Sequence, residues 1–148
     1  RREARREIAA LIDPLALYPD LTLRENLALI EAAWSGEKRS GRGSPLVEGL
    51  GARALDTFGI EKLATRFPHE LSSGQRQLVS LAAVFSRPAS VLLLDEPEQR
   101  LDSGRRELLA EAIIGARDRG IAVVFASHDA VLIDRVADRR AFLEEPAV

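Results

Sequence analysis

Val91-Leu92-Leu93-Leu94-Asp95-Glu96-Pro97 is the stretch on which the fold turns. Four apolar residues in a row, without alternation, suit a strand buried on both faces of a parallel sheet. The run stops at two adjacent carboxylates, and Pro97 turns the chain away. Acids at the carboxyl end of a parallel strand lie where open α/β sheets bind ligands. Two like charges side by side are costly unless a cation or a function offsets them. Asp95 suits holding Mg²⁺, directly or through water. Glu96 suits taking a proton from, or orienting, a water that attacks phosphorus. Without a supporting context the same residues are only a strand end turning into solvent.

Downstream, the spacing predicts a helix from about Ser103 to Arg119 that buries Leu108, Leu109, Ala112, Ile113 and Ala116 and ends at Gly120. Ile121-Ala122-Val123-Val124-Phe125 reads as a second buried strand. Asp129 to Val136 reads as a short helix, and Ala141-Phe142-Leu143 as a last strand. Strands alternating with helices in this way mean parallel βαβ units. Upstream, Leu71-Ser72-Ser73-Gly74-Gln75 opens a helix with Leu78, Leu81, Ala82 and Phe85 at helical spacing. Ser72 or Ser73 can cap that helix, and its free N–H groups and dipole favour an anion there. Ser-Ser-Gly before a helix is ordinarily just a cap. The full pentapeptide, twenty residues before Asp95, is far more specific. Ser127-His128-Asp129 follows the second strand but forms no catalytic triad, because sequence neighbours cannot converge as nucleophile, base and orienter. At the sheet edge beside Asp95 and Glu96, however, the His128 imidazole can meet a terminal phosphate.

The first half reads as helical. Residues up to about Ile12 form a short helix or an extended lead-in before Asp13-Pro14. Thr22 caps the next helix with Glu25 completing a capping box, and Leu23, Leu27, Ile30 and Trp34 share one face. Ser35 to Ser44 has the composition of a mobile loop. A further helix from about Pro45 to Phe58 turns Leu46, Leu50 and Leu55 inward, followed by an irregular approach to Leu71.

Composition narrows the class. The chain has 148 residues, 46% apolar and 30% charged, with a net charge of −2. That suits one α/β domain and leaves no basic footprint for nucleic acid. The four Arg in Arg1 to Glu7 alternate with two Glu and suit a solvated helix face better than a nucleic-acid arm. No apolar run is long enough to span a membrane as a helix. Cysteine is absent, which removes disulfides and thiolate metal sites and fits a reducing compartment. The chain begins at Arg1 and contains no Met, as expected of a piece of something longer.

Taken together, these pieces resemble the ATP-binding-cassette family, the nucleotide-binding domains of ABC transporters. Leu71-Ser72-Ser73-Gly74-Gln75 resembles the LSGGQ signature with one Gly replaced by Ser73. Val91 to Glu96 resembles Walker B with its catalytic Glu. Leu101-Asp102 resembles the D-loop, His128 matches the switch histidine, and Leu17 to Leu27 resembles the segment after the Q-loop. The likeness covers about residues 8 to 145. It implies a parallel sheet of the phosphate-loop NTPase type, here a βαβαβ portion, with a helical subdomain in the N-terminal half. The division it implies is 1–20 for the Q-loop region and lead-in segment, 21–70 for the helical subdomain and 71–148 for the signature helix and ATPase core.

The resemblance also implies ATP and Mg²⁺, with Asp95 assisting the metal, Glu96 activating water and His128 contacting the γ-phosphate. Ser72, Ser73, Gly74, Gln75 and Asp102 would face ATP held by a second cassette domain, in a head-to-tail homo- or heterodimer. Transmembrane transporter subunits would be the further partners, placing the chain peripherally on the cytoplasmic side. No nucleic acid is expected. Besides Ser73 in the signature, two features depart from the family pattern. No G-x-x-x-x-G-K-[ST] loop occurs in the chain, so these residues by themselves are expected to be inactive. Asp13 stands where the Q-loop Gln usually sits, which leaves it as a possible Mg²⁺ ligand and weakens the expectation of coupling to a transporter. The leading expectation is an ATPase that powers transport. A regulatory cassette-like module that dimerises without hydrolysis is the alternative, and an ATPase acting on nucleic acid or ribosomes is a third.

Overall fold

The Val91–Leu94 run forms a strand, and it is the central one. In a computed structural model of the chain, residues 7–12, 15–35 and 50–143 are described. Asp13, Arg1 to Arg6, residues 36–44 of the expected loop, Pro45 and Leu46 lie outside the described residues, as do the side chains of Trp34 and Leu50. Among those described, the sheet has three strands in the order β1-β2-β3: β1 Ile8–Leu11, β2 Val91–Asp95 and β3 Ala122–Ala126. Both pairings are parallel. Leu94 lies opposite Leu11 on one side and Phe125 on the other.

Five α-helices accompany the sheet among the described residues: α1 Leu23–Ser35, α2 Leu50–Thr57, α3 Ser73–Phe85, α4 Ser103–Asp118 and α5 Ala130–Val136. The start of each well-capped helix is set by one short polar side chain. Thr22 and Glu25 reciprocate at α1, with the Thr22 N–H donating to Glu25 Oε2 at 2.7 Å. Ser72 and Gln75 do the same at α3, at 2.9 and 3.2 Å. Asp102 accepts the Arg105 N–H at 2.9 Å, and Asp129 accepts the Leu132 N–H at 3.0 Å. Gly120, at φ 82°, ends the α4 segment in a left-handed conformation that suits glycine.

Helix α3 joins the two halves. It packs on β1 and against α1 and α2, while α4 packs on β3 and against α5. Leu23, Leu27, Leu55 and Phe58 are buried under the helical half, and Phe58 meets Phe85 of α3 edge to face at 5.6 Å. Inside α3 the buried Ser80 hydroxyl accepts the Leu15 N–H at 3.0 Å, tying the segment after β1 to the helix. The approach to α3 contains two short 3₁₀ turns, Glu61–Leu63 and Pro68–Glu70.

Two expectations change, and one open alternative is decided. The lead-in residues take the extended alternative: they form β1 and belong to the core sheet, because their partner, β2, is supplied by residues more than eighty positions away. Ala141 to Leu143 form no strand, and Phe142 and Leu143 are 89% and 96% exposed. The third strand of the parallel sheet is therefore β1. Nor are β2 and β3 buried on both faces. The helices cover Ala9, Leu11, Leu92 and Leu94, whereas Val91 and Leu93 are half-buried and Val124 is 61% exposed.

Candidate active site

The strand order brings the carboxyl ends of β1, β2 and β3 to one edge, and the candidate residues collect there. Asp95 is the last residue of β2 and is exposed. Glu96 follows at φ 42°, a conformation that costs a non-glycine residue energy and clusters at functional sites. The turn holds it there: the Glu96 N–H donates to the Ala126 carbonyl at 2.9 Å, and the Glu96 carbonyl accepts the Gln99 N–H at 3.1 Å. Its carboxylate Oε1 lies 3.2 Å from His128 Nε2, just past the end of β3. The His128 side chain is 93% exposed, so its outer face is open to a ligand.

A cleft of about 220 Å³ runs beside these groups, lined by Leu11, Ile12, Gln77, Asp95, Glu96, Gln99 and Arg100. Among the described residues no ion pair or side-chain hydrogen bond occupies Asp95, and none gathers three or more His, Asp or Glu into a metal cage. This donor set fits Mg²⁺, which takes one or two carboxylates and fills its remaining positions with water and substrate phosphate.

Other expected site residues do not line the cleft. Ser72, Ser73 and Gln75 open α3 and do not line it. Asp102 caps α4 and pairs with Arg105 Nε at 3.5 Å. These two groups are nevertheless joined to each other: a Cβ on Gly74 would stand 2.7 Å from the Arg100 carbonyl oxygen. The start of α3 thus rests on the loop that leads to Asp102. Asp13 lies outside the described residues.

Two contributors to this edge escape a reading of spacing. Gln77 is buried in α3, where its amide donates to the Pro97 carbonyl at 3.1 Å. Its one sequence signal is a polar residue beside an apolar helix face. Glu98 is also buried, with Oε1 accepting the Ser127 hydroxyl and the His128 N–H. Nothing in Pro97-Glu98-Gln99 marks that acid as turning inward.

A protein-family model described as "AAA domain, putative AbiEii toxin, Type IV TA system" matches residues 4–134. The phosphate import ATP-binding protein PstB 2 of Natronomonas pharaonis is 33% identical over 94% of this chain and 50% of its own length. The nickel import ATP-binding protein NikO of Rhodobacter capsulatus is 44% identical over 63% of this chain and 38% of its own. The ATP-binding cassette MJ0796, solved as a dimer in a post-hydrolysis state bound to ADP and Pi, superposes with a TM-score of 0.75 at 25% identity. That match covers 88% of this chain and 56% of the solved one. The chain belongs to the ATP-binding-cassette ATPases.

As a cassette ATPase it has the mixed α/β fold with a parallel sheet seen in its solved neighbours. It spans about half or less of the length of the two relatives named above. Those relatives are ATP-binding proteins of import systems, for phosphate in one case and nickel in the other. No helix among the described residues of this cassette is long and apolar enough to cross a membrane.

Proposed function

We propose that this cassette is the ATP-hydrolysing part of an ABC transporter, with Glu96 and His128 as its catalytic pair and Asp95 assisting Mg²⁺. The observation that carries this reading is the 3.2 Å contact between His128 Nε2 and Glu96 Oε1 at the carboxyl edge of the sheet. A carboxylate in hydrogen-bond reach of an attacking water can accept its proton. The imidazole holds that carboxylate from one side, and its exposed face would be free to contact the γ-phosphate of a bound nucleotide. Mg²⁺, when bound, supplies neutralisation of the phosphate charge. Ser72, Ser73, Gly74 and Gln75, with Asp102, act on ATP held by a second cassette in a head-to-tail dimer. None of them lines this chain's own cleft, which supports that division of labour. Residues 21–70 serve as the helical subdomain and 71–148 carry the signature helix and the later part of the ATPase core.

Turnover belongs to a polypeptide in which these residues are joined by a phosphate loop, since none is present among the 148. The cargo-handling partners are transmembrane subunits, with the cassette on their cytoplasmic side. The test is Glu96→Gln in a polypeptide that carries this chain and a complete nucleotide site. The amide keeps the shape but accepts no proton, so ATP binding persists while turnover falls by about a hundredfold or more. Near-parental turnover in that variant would remove Glu96 from the chemistry.

A further inference from the structure

We propose that Glu98 is a positioning residue whose buried carboxylate holds the backbone of the His128 loop, so that the imidazole stays against Glu96. The inference rests on the catalytic reading of Glu96 and His128.

The His128 side chain is 93% exposed and its contact with Glu96 spans 3.2 Å. So open an imidazole is directed mainly by the backbone that carries it. Among the described residues, the Glu98 side chain ties that backbone to the β2 turn. Glu98 is only 7% exposed, and its Oε1 accepts the Ser127 hydroxyl together with the His128 N–H at 3.3 Å. The Ser127 oxygen in turn accepts the Asp129 N–H at 3.0 Å. Asp129 caps α5 through the Leu132 N–H and receives Arg106 Nη1 at 3.0 Å. A continuous chain of bonds thus runs from the β2 turn through Glu98 and Ser127 to the start of α5, with His128 between its anchors.

Glu98 is an expensive way to pin a loop for stability alone. A carboxylate loses its hydration on burial, and here Oε2 finds no partner among the described residues. A neutral hydroxyl or an apolar residue at this position would avoid that cost. Glu98 also sits two residues after Glu96, in the same turn whose Pro97 carbonyl is held by Gln77 from α3. The turn therefore fixes both members of the pair, Glu96 through its own backbone and His128 through Glu98.

The experiment compares steady-state ATPase kinetics in a polypeptide carrying this chain and a complete nucleotide site. Glu98→Ala is expected to lower kcat about tenfold while KM for ATP stays within about twofold, because the defect lies in alignment of the pair and not in nucleotide binding. Glu98→Gln keeps an acceptor oxygen at the same reach and is expected to recover most of that loss. Parental kcat in Glu98→Ala overturns the proposal, as does a Glu98→Gln variant as slow as the alanine one. Should Glu98→Ala fail to fold, Ser127→Ala carries the test: it removes the hydroxyl that donates to Glu98 and accepts the Asp129 N–H, a fall in kcat at constant KM is expected, and unchanged kcat overturns the proposal. Glu96→Gln and His128→Ala are measured alongside. If both keep parental turnover, the catalytic reading fails and this proposal fails with it. If both lose turnover while Glu98→Ala does not, the positioning role alone is wrong.

Discussion

At Gly74 the first turn of α3 passes directly beneath the carbonyl of Arg100, where an added Cβ would lie 2.7 Å from that oxygen and 2.9 Å from Arg105 Nη1. The guanidinium can swing aside. The carbonyl has less freedom, because Arg100 is at φ 62° and the next residue's N–H is bonded to the Glu98 carbonyl at 3.2 Å. Alanine gains about 1 kcal/mol over glycine inside a helix, while overpacking against a fixed atom costs about 1–3 kcal/mol. Gly74→Ala should therefore lower stability in urea unfolding, by up to about 2 kcal/mol once that gain is subtracted. A variant as stable as the parent would show that the Arg100 turn yields freely. The same geometry explains why serine is accommodated at position 73. Ser73 is exposed and Gly74 is buried, so only the second position needs to lack a side chain.

At the scale of elements, three exposed carboxylates connect helix starts and helix pairs, and all three titrate below the ordinary glutamate range. Glu25 is lowered by accepting the Thr22 hydroxyl and then its N–H. Glu70 is lowered mainly by the Phe67 N–H, and Glu107 by the Arg135 side chain, which links α4 to α5. An unfolded glutamate titrates near about 4.3. Because the folded values are lower, the unfolded chain binds more protons in this window, and stability rises with pH. The contribution is fully present above about pH 5 and is lost as pH falls through the folded values. Full exposure keeps each effect small. Melting temperatures measured from pH 6 down to pH 3 should fall, and Glu107→Gln should fall less steeply while starting lower. Parallel curves for the two proteins would mean that the α4–α5 pair contributes nothing to acid sensitivity.

At the scale of the whole molecule, the sheet is covered on one side only by the described helices. Its other face presents Ile8, Val91, Leu93 and Val124, with Val124 on β3 61% exposed. Parallel sheets are normally covered on both faces, and an apolar patch of this kind favours association. The 148-residue chain studied alone should self-associate with rising concentration in sedimentation velocity. Val124→Lys places a charge on the most exposed apolar residue of the open face, on the outer strand β3, and should shift the distribution toward monomer. Identical distributions for the two would locate the sticky surface elsewhere, at an open strand edge or at Phe142 and Leu143.

Local chemistry was enough to write most of the elements into the sequence. Thr22, Ser72, Asp102 and Asp129 sit at helix starts because short polar side chains satisfy orphan N–H groups within three residues. The unbroken run before Asp95 identified a strand of the parallel sheet, and the order of motifs identified the family. What spacing could not supply was pairing between distant segments. Ile8–Leu11 is too short to declare itself, and becomes a strand only because β2 offers it a parallel edge. Ala141 to Leu143 looks equally apolar, finds no such edge and stays exposed. The contact of His128 with Glu96 likewise depends on β3 lying beside β2. The inward turn of Glu98 depends on the same adjacency, since its partners Ser127 and His128 are about thirty residues away. Sequence fixes what a residue can bond to nearby; tertiary structure decides which distant donor reaches a buried acceptor, because that depends on which strand edges meet.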